Sequence, residues 1–167
     1  MNPILFLDID GVLIPRRMYD APNQTRPLVT VFDPGVVGML NTLARECGAQ
    51  FVIHSSWLRS NFAFISAKCG CTDVKQHMIC QGLDADAFHK DHSCQYRFSG
   101  TRWTAICDWL EDHPEVTNLD YWIIEDEPHP YYDGVSRLNL NRIIQTDFDE
   151  GLTWKQFQSI YTAEVSS

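Results

Sequence analysis

The chain predicts an α/β fold in three layers, with helices packed on both faces of a central parallel sheet. Three observations carry that expectation. Short, near-continuous apolar runs alternate with stretches of helical periodicity along the sequence. The runs lack the apolar/polar alternation of a half-exposed strand, as strands covered on both faces do. Three of the runs also end in polar groups: Asp8 and Asp10, Ser55 and Ser56, Glu125 and Asp126. In parallel sheets, ligands sit beyond the carboxyl ends of the strands, so these three ends are expected to form one site.

Taken in order, residues 3–8 read as the first strand. Residues 15–34, "PRRMYDAPNQTRPLVTVFDP", are rich in Pro and Arg and read as a loop with a small flap, about 12–33 in all. Asp33-Pro34 looks like a helix start, with Asp as cap and Pro in the first turn. Val36, Val37, Leu40, Leu43 and Ala44 then recur at helical spacing until Gly48 ends the run. "AQFVIHSSW" is a second strand, and a helix is expected over 59–67. Residues 69–98 show no clean periodicity and hold most of the Cys and His, so they read as an irregular insertion. Helix signals return at Ser99 or Thr101, with Trp103, Ile106, Cys107 and Leu110 on one face. "YWIIEDEP" is a third strand, "RIIQTD" a candidate fourth, and a closing helix starts near Thr153. No repeat or low-complexity tract interrupts this rhythm, and residues 1–167 are expected to form one domain.

Composition narrows the function classes. With 44% hydrophobic and 12% aromatic residues the chain should fold as a globule. Its net charge of −9, from 13 Lys+Arg against 22 Asp+Glu, gives no general attraction to nucleic acid. A polynucleotide substrate would need a local basic patch. No apolar run approaches the roughly 18 residues that span a membrane, so no membrane partner is expected. No secretory signal is apparent either. The six Cys are therefore expected as reduced thiols in a cytoplasmic setting. Cys69, Cys71, His77, Cys80, His89, His92 and Cys94 raise the alternative of a zinc site. They lack a complete paired ligand spacing, and buried or incidental Cys is the preferred reading.

Carboxylates brought together from two strand ends make a hard, oxygen-rich pocket suited to Mg²⁺. A carboxylate is also a nucleophile towards phosphorus, and a neighbouring carboxyl group can protonate the leaving oxygen and later deprotonate water. Gly11 lets the chain turn after Asp10, so that both groups face one cavity. Taken alone, D-x-D-G is equally a capped turn or a calcium loop.

"LDIDGVL", "FVIHSSW" and "WIIEDEP" together resemble the first, second and fourth motifs of the haloacid dehalogenase (HAD) superfamily, in order and in spacing over residues 4–128. A narrower resemblance rests on "SSW", on Arg102, Ile106, Trp109 and Leu110, and on Thr146, Asp147, Gly151, Leu152 and Thr153. It points to the HAD domains associated with Swiss Army Knife RNA-repair proteins. The resemblance implies a Rossmann-like HAD fold and phosphatase chemistry with Mg²⁺. Asp8 would be the nucleophile and a metal ligand, and Asp10 the general acid/base, with its backbone carbonyl on the metal. Ser55, or Ser56 if the strand runs one residue longer, would hydrogen-bond the phosphoryl oxygens. Asp126 would hold Mg²⁺ directly with Glu125 behind it. The narrower family usually has Asp where this chain has Glu125, so reversal of those two roles stays open. For the basic residue of the third motif Arg102 is preferred, because it starts the helix before the fourth-motif strand; Lys90 and Arg97 compete.

Arg16 and Arg17, on the expected flap, either grip a further phosphate or form a solvated pair. Trp57 suits base stacking or core packing, and His54 reads as a structural histidine. His129, Tyr131 and Tyr132 either line the entrance or cover the sheet edge. Neither 12–33 nor 69–98 has room for a large cap domain, and in this superfamily an open site implies a bulky substrate. The expected activity is thus a Mg²⁺-dependent phosphomonoesterase working through phospho-Asp8 on a phosphorylated substrate. RNA or DNA ends are the leading class, held by Arg16, Arg17, Arg26 and Arg59. A nucleotide or other small phosphomonoester is the alternative within enzymes, and a binding module without turnover the alternative outside them.

Overall fold

The computed structural model describes residues 2–20, 31–59, 70–95, 101–127 and 137–166. Five strands form one sheet: β1 (Ile4–Leu7), β2 (Gln50–Ile53), β3 (Phe88–Ser93), β4 (Tyr121–Glu125) and β5 (Ile143–Gln145). Their order across the sheet is β3-β2-β1-β4-β5, and every neighbouring pair is parallel. β1 lies at the centre, with Leu7 opposite both Ile53 and Ile124. This register brings the ends of β2, β1 and β4 side by side.

The apolar runs show no alternation because both faces of the sheet are buried. Leu5, Leu7, Phe51, Ile53, Trp122 and Ile124 enter one core cluster, while Ile4, Phe6, Val52, Tyr121 and Ile123 enter the other. The first cluster is closed by α2 (Pro34–Cys47), α3 (Val74–Cys80) and α5 (Trp154–Val165), and the second by α4 (Arg102–Asp112). Each fully buried Leu, Ile or Phe side chain contributes roughly 1.5–3 kcal/mol over its exposed state. A single turn, α1 (Arg16–Tyr19), lies between β1 and α2.

The helix ends are set by the residues expected. Asp33 caps α2 by accepting from the backbone N–H of Gly35 and Val36, and Gly48 closes it in the left-handed conformation at φ +69°. Thr101 caps α4, and Thr153 with Gln156 forms a capping box on α5.

The segment 69–98 differs from expectation. Its described residues, 70–95, carry α3 and β3, so they join the α/β rhythm where an irregular insertion was expected. β3 reads "FHKDHS" and buries only Phe88 well, because it is an edge strand. A strand with one neighbour and one solvated side has little apolar pattern to read. The helix expected over 59–67 lies almost wholly outside the described residues, as do Arg26, Arg97, His129, Tyr131 and Tyr132. Among the described residues no helix is long and apolar enough to cross a membrane.

Candidate active site

Asp8 is the first residue after β1. Its backbone N–H donates to Ile124 O at 3.1 Å, and the side chain is 1% exposed. The alternation that sends Phe6 towards α4 also sends Asp8 to that side, and the same parity applies to His54 and Glu125. The first residue of α4 meets them there. Arg102 Nη1 donates to Asp8 Oδ2 at 2.6 Å and to Glu125 Oε1 at 2.9 Å, and its Nε lies 3.6 Å from Glu127 Oε2. Among the described residues Arg102 is the basic candidate that the fold brings to Asp8. Lys90 is exposed on edge strand β3, and Arg97 falls outside the described residues.

Glu125 is buried, and its Oε1 also accepts from the backbone N–H of Asp126 and Glu127. Its Oε2 lies 3.4 Å from His54 Nδ1. That contact has the look of an ion pair, yet complete burial lowers the His54 pKa to about 4. Burial outweighs the nearby carboxylates here, so His54 is neutral at physiological pH.

Asp126 reaches the cluster through Gly11. A Cβ on Gly11 would sit 2.2 Å from Asp126 Oδ2, and Gly11 has φ +70°. Only glycine allows both the turn and the approach. The Gly11 carbonyl in turn accepts from Thr146 Oγ1 at 2.9 Å, so the residue after β5 braces the turn that follows β1.

Asp10 stands apart from this group. Its Oδ1 accepts from the Tyr19 hydroxyl and its Oδ2 from the Trp57 indole N–H, both at 2.8 Å. Ser55 is fully buried and its hydroxyl accepts from Trp57 N at 3.3 Å, capping the 3-10 turn Ser56–Leu58; Ser56 is half-buried. Trp57 is therefore packed in the core, against Phe32 and His77, and also bonded to the site. Tyr19 was missed by sequence reasoning. It belongs to no periodic pattern, and only the fold-back of α1 brings it to Asp10.

The two flap arginines are both engaged by acids. Arg16 pairs with Asp149 at 3.2 Å; Arg17 pairs with Asp33 at 2.8 Å and donates to the Glu150 carbonyl. They fasten α1 to the turn at 147–151.

Burial raises the pKa of Asp10, Glu125 and Asp126, and the charge of Asp8 adds to each. Three acids, Asp8, Glu125 and Asp126, thus crowd near one guanidinium, with Asp10 close enough to feel the Asp8 charge. One carboxylate oxygen each from Asp8, Glu125 and Asp126 lie within 4.8 Å of one another, and Asp8 Oδ1 is buried with no hydrogen-bond partner. An unpartnered buried carboxylate oxygen among hard oxygen donors fits Mg²⁺.

A second group, His89, Asp91 and His113, has the same compactness. It contains no Cys. Among the described residues Cys71, Cys94 and Cys107 are buried, and burial raises the pKa of Cys94 and Cys107.

No curated protein and no solved structure matches the chain significantly. A family model does: the HAD domain in Swiss Army Knife RNA repair proteins matches residues 4–157. That span runs from the first residue of β1 into α5 and includes every residue of the acidic cluster, and the chain belongs to this family of HAD domains.

Proposed function

We propose that the chain is a Mg²⁺-dependent phosphomonoesterase that works through an aspartyl phosphate on Asp8. The observation that carries this reading is the pairing at Asp8. One of its oxygens is held by Arg102 while the other is buried without a partner, at the sheet end where ligands bind. Asp8, Asp126 and the Asp10 carbonyl would hold the ion, with Glu125 behind Asp126. When bound, Mg²⁺ supplies positive charge that offsets the crowded acids and the phosphoryl oxygens.

This chain's own groups then account for the chemistry. An Asp8 carboxylate oxygen attacks phosphorus, and the bond from phosphorus to the ester oxygen breaks. Asp10 delivers a proton to that leaving oxygen. Arg102, bridging Asp8 and Glu125, keeps the nucleophile aimed and balances charge building on the phosphoryl group. In the second half Asp10 takes a proton from water, the water oxygen attacks phosphorus, and the bond to Asp8 breaks. Inorganic phosphate leaves and both carboxylates return to their starting state.

The family's description favours a phosphorylated RNA or DNA end as substrate. The engagement of Arg16 and Arg17 by acids favours the second reading, a nucleotide or short end that needs no long basic track. Purified protein with Mg²⁺, assayed against 3′- and 5′-phosphorylated oligonucleotides, mononucleotides and phosphopeptides, tests both. Release of phosphate from the oligonucleotides ahead of the mononucleotides supports the first. No release from any of them would leave a binding module on a HAD scaffold as the better account.

A further inference from the structure

A carboxylate that must hand a proton to a leaving oxygen has to be aimed, and an Asp side chain turns freely about two bonds. In this molecule Asp10 does not. Its two oxygens are held one each, by donors that arrive from different parts of the fold.

The two donors differ in kind. The Trp57 ring is 5% exposed and packed against Phe32 and His77, on the turn that Ser55 caps after β2. Its N–H is a fixed post, and it can only donate. Tyr19 is half-buried on the single turn α1, too short to hold its place alone. The turn at 147–151 holds it instead. Arg16 N donates to Phe148 O at 2.8 Å, Arg17 Nη1 to Glu150 O at 2.6 Å, and the Tyr19 ring lies 5.7 Å from that of Phe148. The turn in turn sits against the loop after Asp10. Leu152 N donates to Val12 O, and a Cβ on Gly151 would come within 2.7 Å of that same carbonyl.

We propose that Tyr19 and Trp57 are positioning residues that fix the orientation of the Asp10 carboxylate towards the leaving oxygen, with the 147–151 turn setting Tyr19 through α1. The inference rests on Asp10 acting as the proton donor. It also gives the "TDFDEGL" stretch, which sequence reasoning could use only as a resemblance, a physical task.

The role predicts a signature that a merely structural contact lacks. An ester with a good leaving group needs little protonation, whereas an alkyl ester depends on it. The test compares wild type, Tyr19→Phe and Trp57→Phe, each as the full chain with Mg²⁺, on p-nitrophenyl phosphate and on a nucleoside 5′-monophosphate. The readout is kcat/KM, which ends at phosphoryl transfer and excludes the later hydrolysis of phospho-Asp8. Each variant should lose roughly ten- to a hundredfold on the alkyl ester, the range of a hydrogen bond to a charged group, and stay within about threefold on the aryl ester. Equal losses on both esters, or no loss on either, overturn the inference. Tyr19→Phe keeps the ring and removes only the hydroxyl, so the test stands even if Trp57→Phe does not fold. A phosphorylated oligonucleotide replaces the nucleotide as the alkyl ester where it is the better substrate; wild type that hydrolyses none of the three sinks the phosphatase reading itself, an outcome distinct from a failed comparison among variants.

Discussion

Among the described residues two places gather ligand atoms of three metal-type side chains within 4.8 Å: Asp8, Glu125 and Asp126 at the sheet end, and His89, Asp91 and His113 on edge strand β3 and the end of α4. The second group has the donors that zinc prefers, yet it closes its own bonds. His113 Nδ1 lies 2.7 Å from Trp109 O and its Nε2 lies 3.0 Å from Asp91 Oδ2, while His89 Nδ1 accepts from Asp91 N at 3.1 Å. The His113 ring stacks on Trp109 at 3.7 Å. The acidic group does the opposite. It buries like charges together, leaves Asp8 Oδ1 without a partner and offers one guanidinium against three carboxylates. Close-set metal-type side chains are common to both. What separates them is charge balance, since buried like charges with too little positive charge are a cost that folding alone does not repay.

Asp8→Asn tests that contrast with the largest effect. The amide keeps the shape but cannot attack phosphorus, so turnover should fall to background on every phosphomonoester. The same change removes one charge from the crowd, so the metal-free melting temperature should be no lower than that of wild type. Retained turnover would end the covalent mechanism. A clear loss of metal-free stability would show that the cluster is no more strained than the histidine group.

Next in size are proton transfer and metal. Asp10→Asn should lose roughly 10²–10⁴-fold in kcat on an alkyl phosphomonoester. Chelation should stop activity, and Mg²⁺ should raise the wild-type melting temperature by mass action, about 2.7 kcal/mol at a hundred times its Kd. Zn²⁺ should leave it unchanged. A rise with Zn²⁺ that disappears in His113→Gln would move the histidine group into the class of metal sites and break the comparison.

How much of this could be read without the fold follows from what each residue answers to. β1, β2 and β4 were legible because burial on both faces leaves unbroken apolar runs, and Asp8, Ser55 and Glu125-Asp126 because they end those runs. Arg102 was legible from its place at the start of a helix. β3 was not, since one buried Phe in "FHKDHS" gives no period. The bonds of Tyr19 and Trp57 to Asp10 were not legible either. They depend on how a loop folds back and which edge of an indole faces the cleft, and neither leaves a mark in local pattern. The partners of the flap arginines were hidden for a similar reason: their acids, Asp33 and Asp149, are supplied by separate segments.

Gly11→Ala should have a middling effect, and it probes how Asp126 joins the acidic group. The left-handed backbone costs a non-glycine residue about 1–2 kcal/mol, which lowers the melting temperature by roughly 2–8 °C in a domain of this size. The added Cβ would also displace Asp126, whose Oδ2 lies 2.2 Å from its position. The Mg²⁺-dependent rise in melting temperature should therefore shrink along with activity. A variant as stable and as Mg²⁺-responsive as wild type would mean that Asp126 does not need this approach.

The smallest effect belongs to the satisfied group. His113 holds the Asp91 carboxyl below the ordinary Asp value of 3.8 by hydrogen bonding. A carboxylate with a lowered folded pKa adds stability above its unfolded pKa and loses it as pH falls through the folded value. Asp91→Asn should therefore melt slightly below wild type near pH 7, and the gap should close as pH drops below about 3.8. Asp91 is exposed, so the gap is expected to be small. Turnover should not change, because this group faces α4 and the sheet edge and makes no bond to the Asp8 cluster among the described residues. Thermal melts of both proteins from pH 3 to pH 7, with activity measured alongside, decide it. A gap that widens in acid would reverse the sign of the pairing. Loss of turnover in Asp91→Asn would tie the two clusters together, and the separation drawn between them would fail.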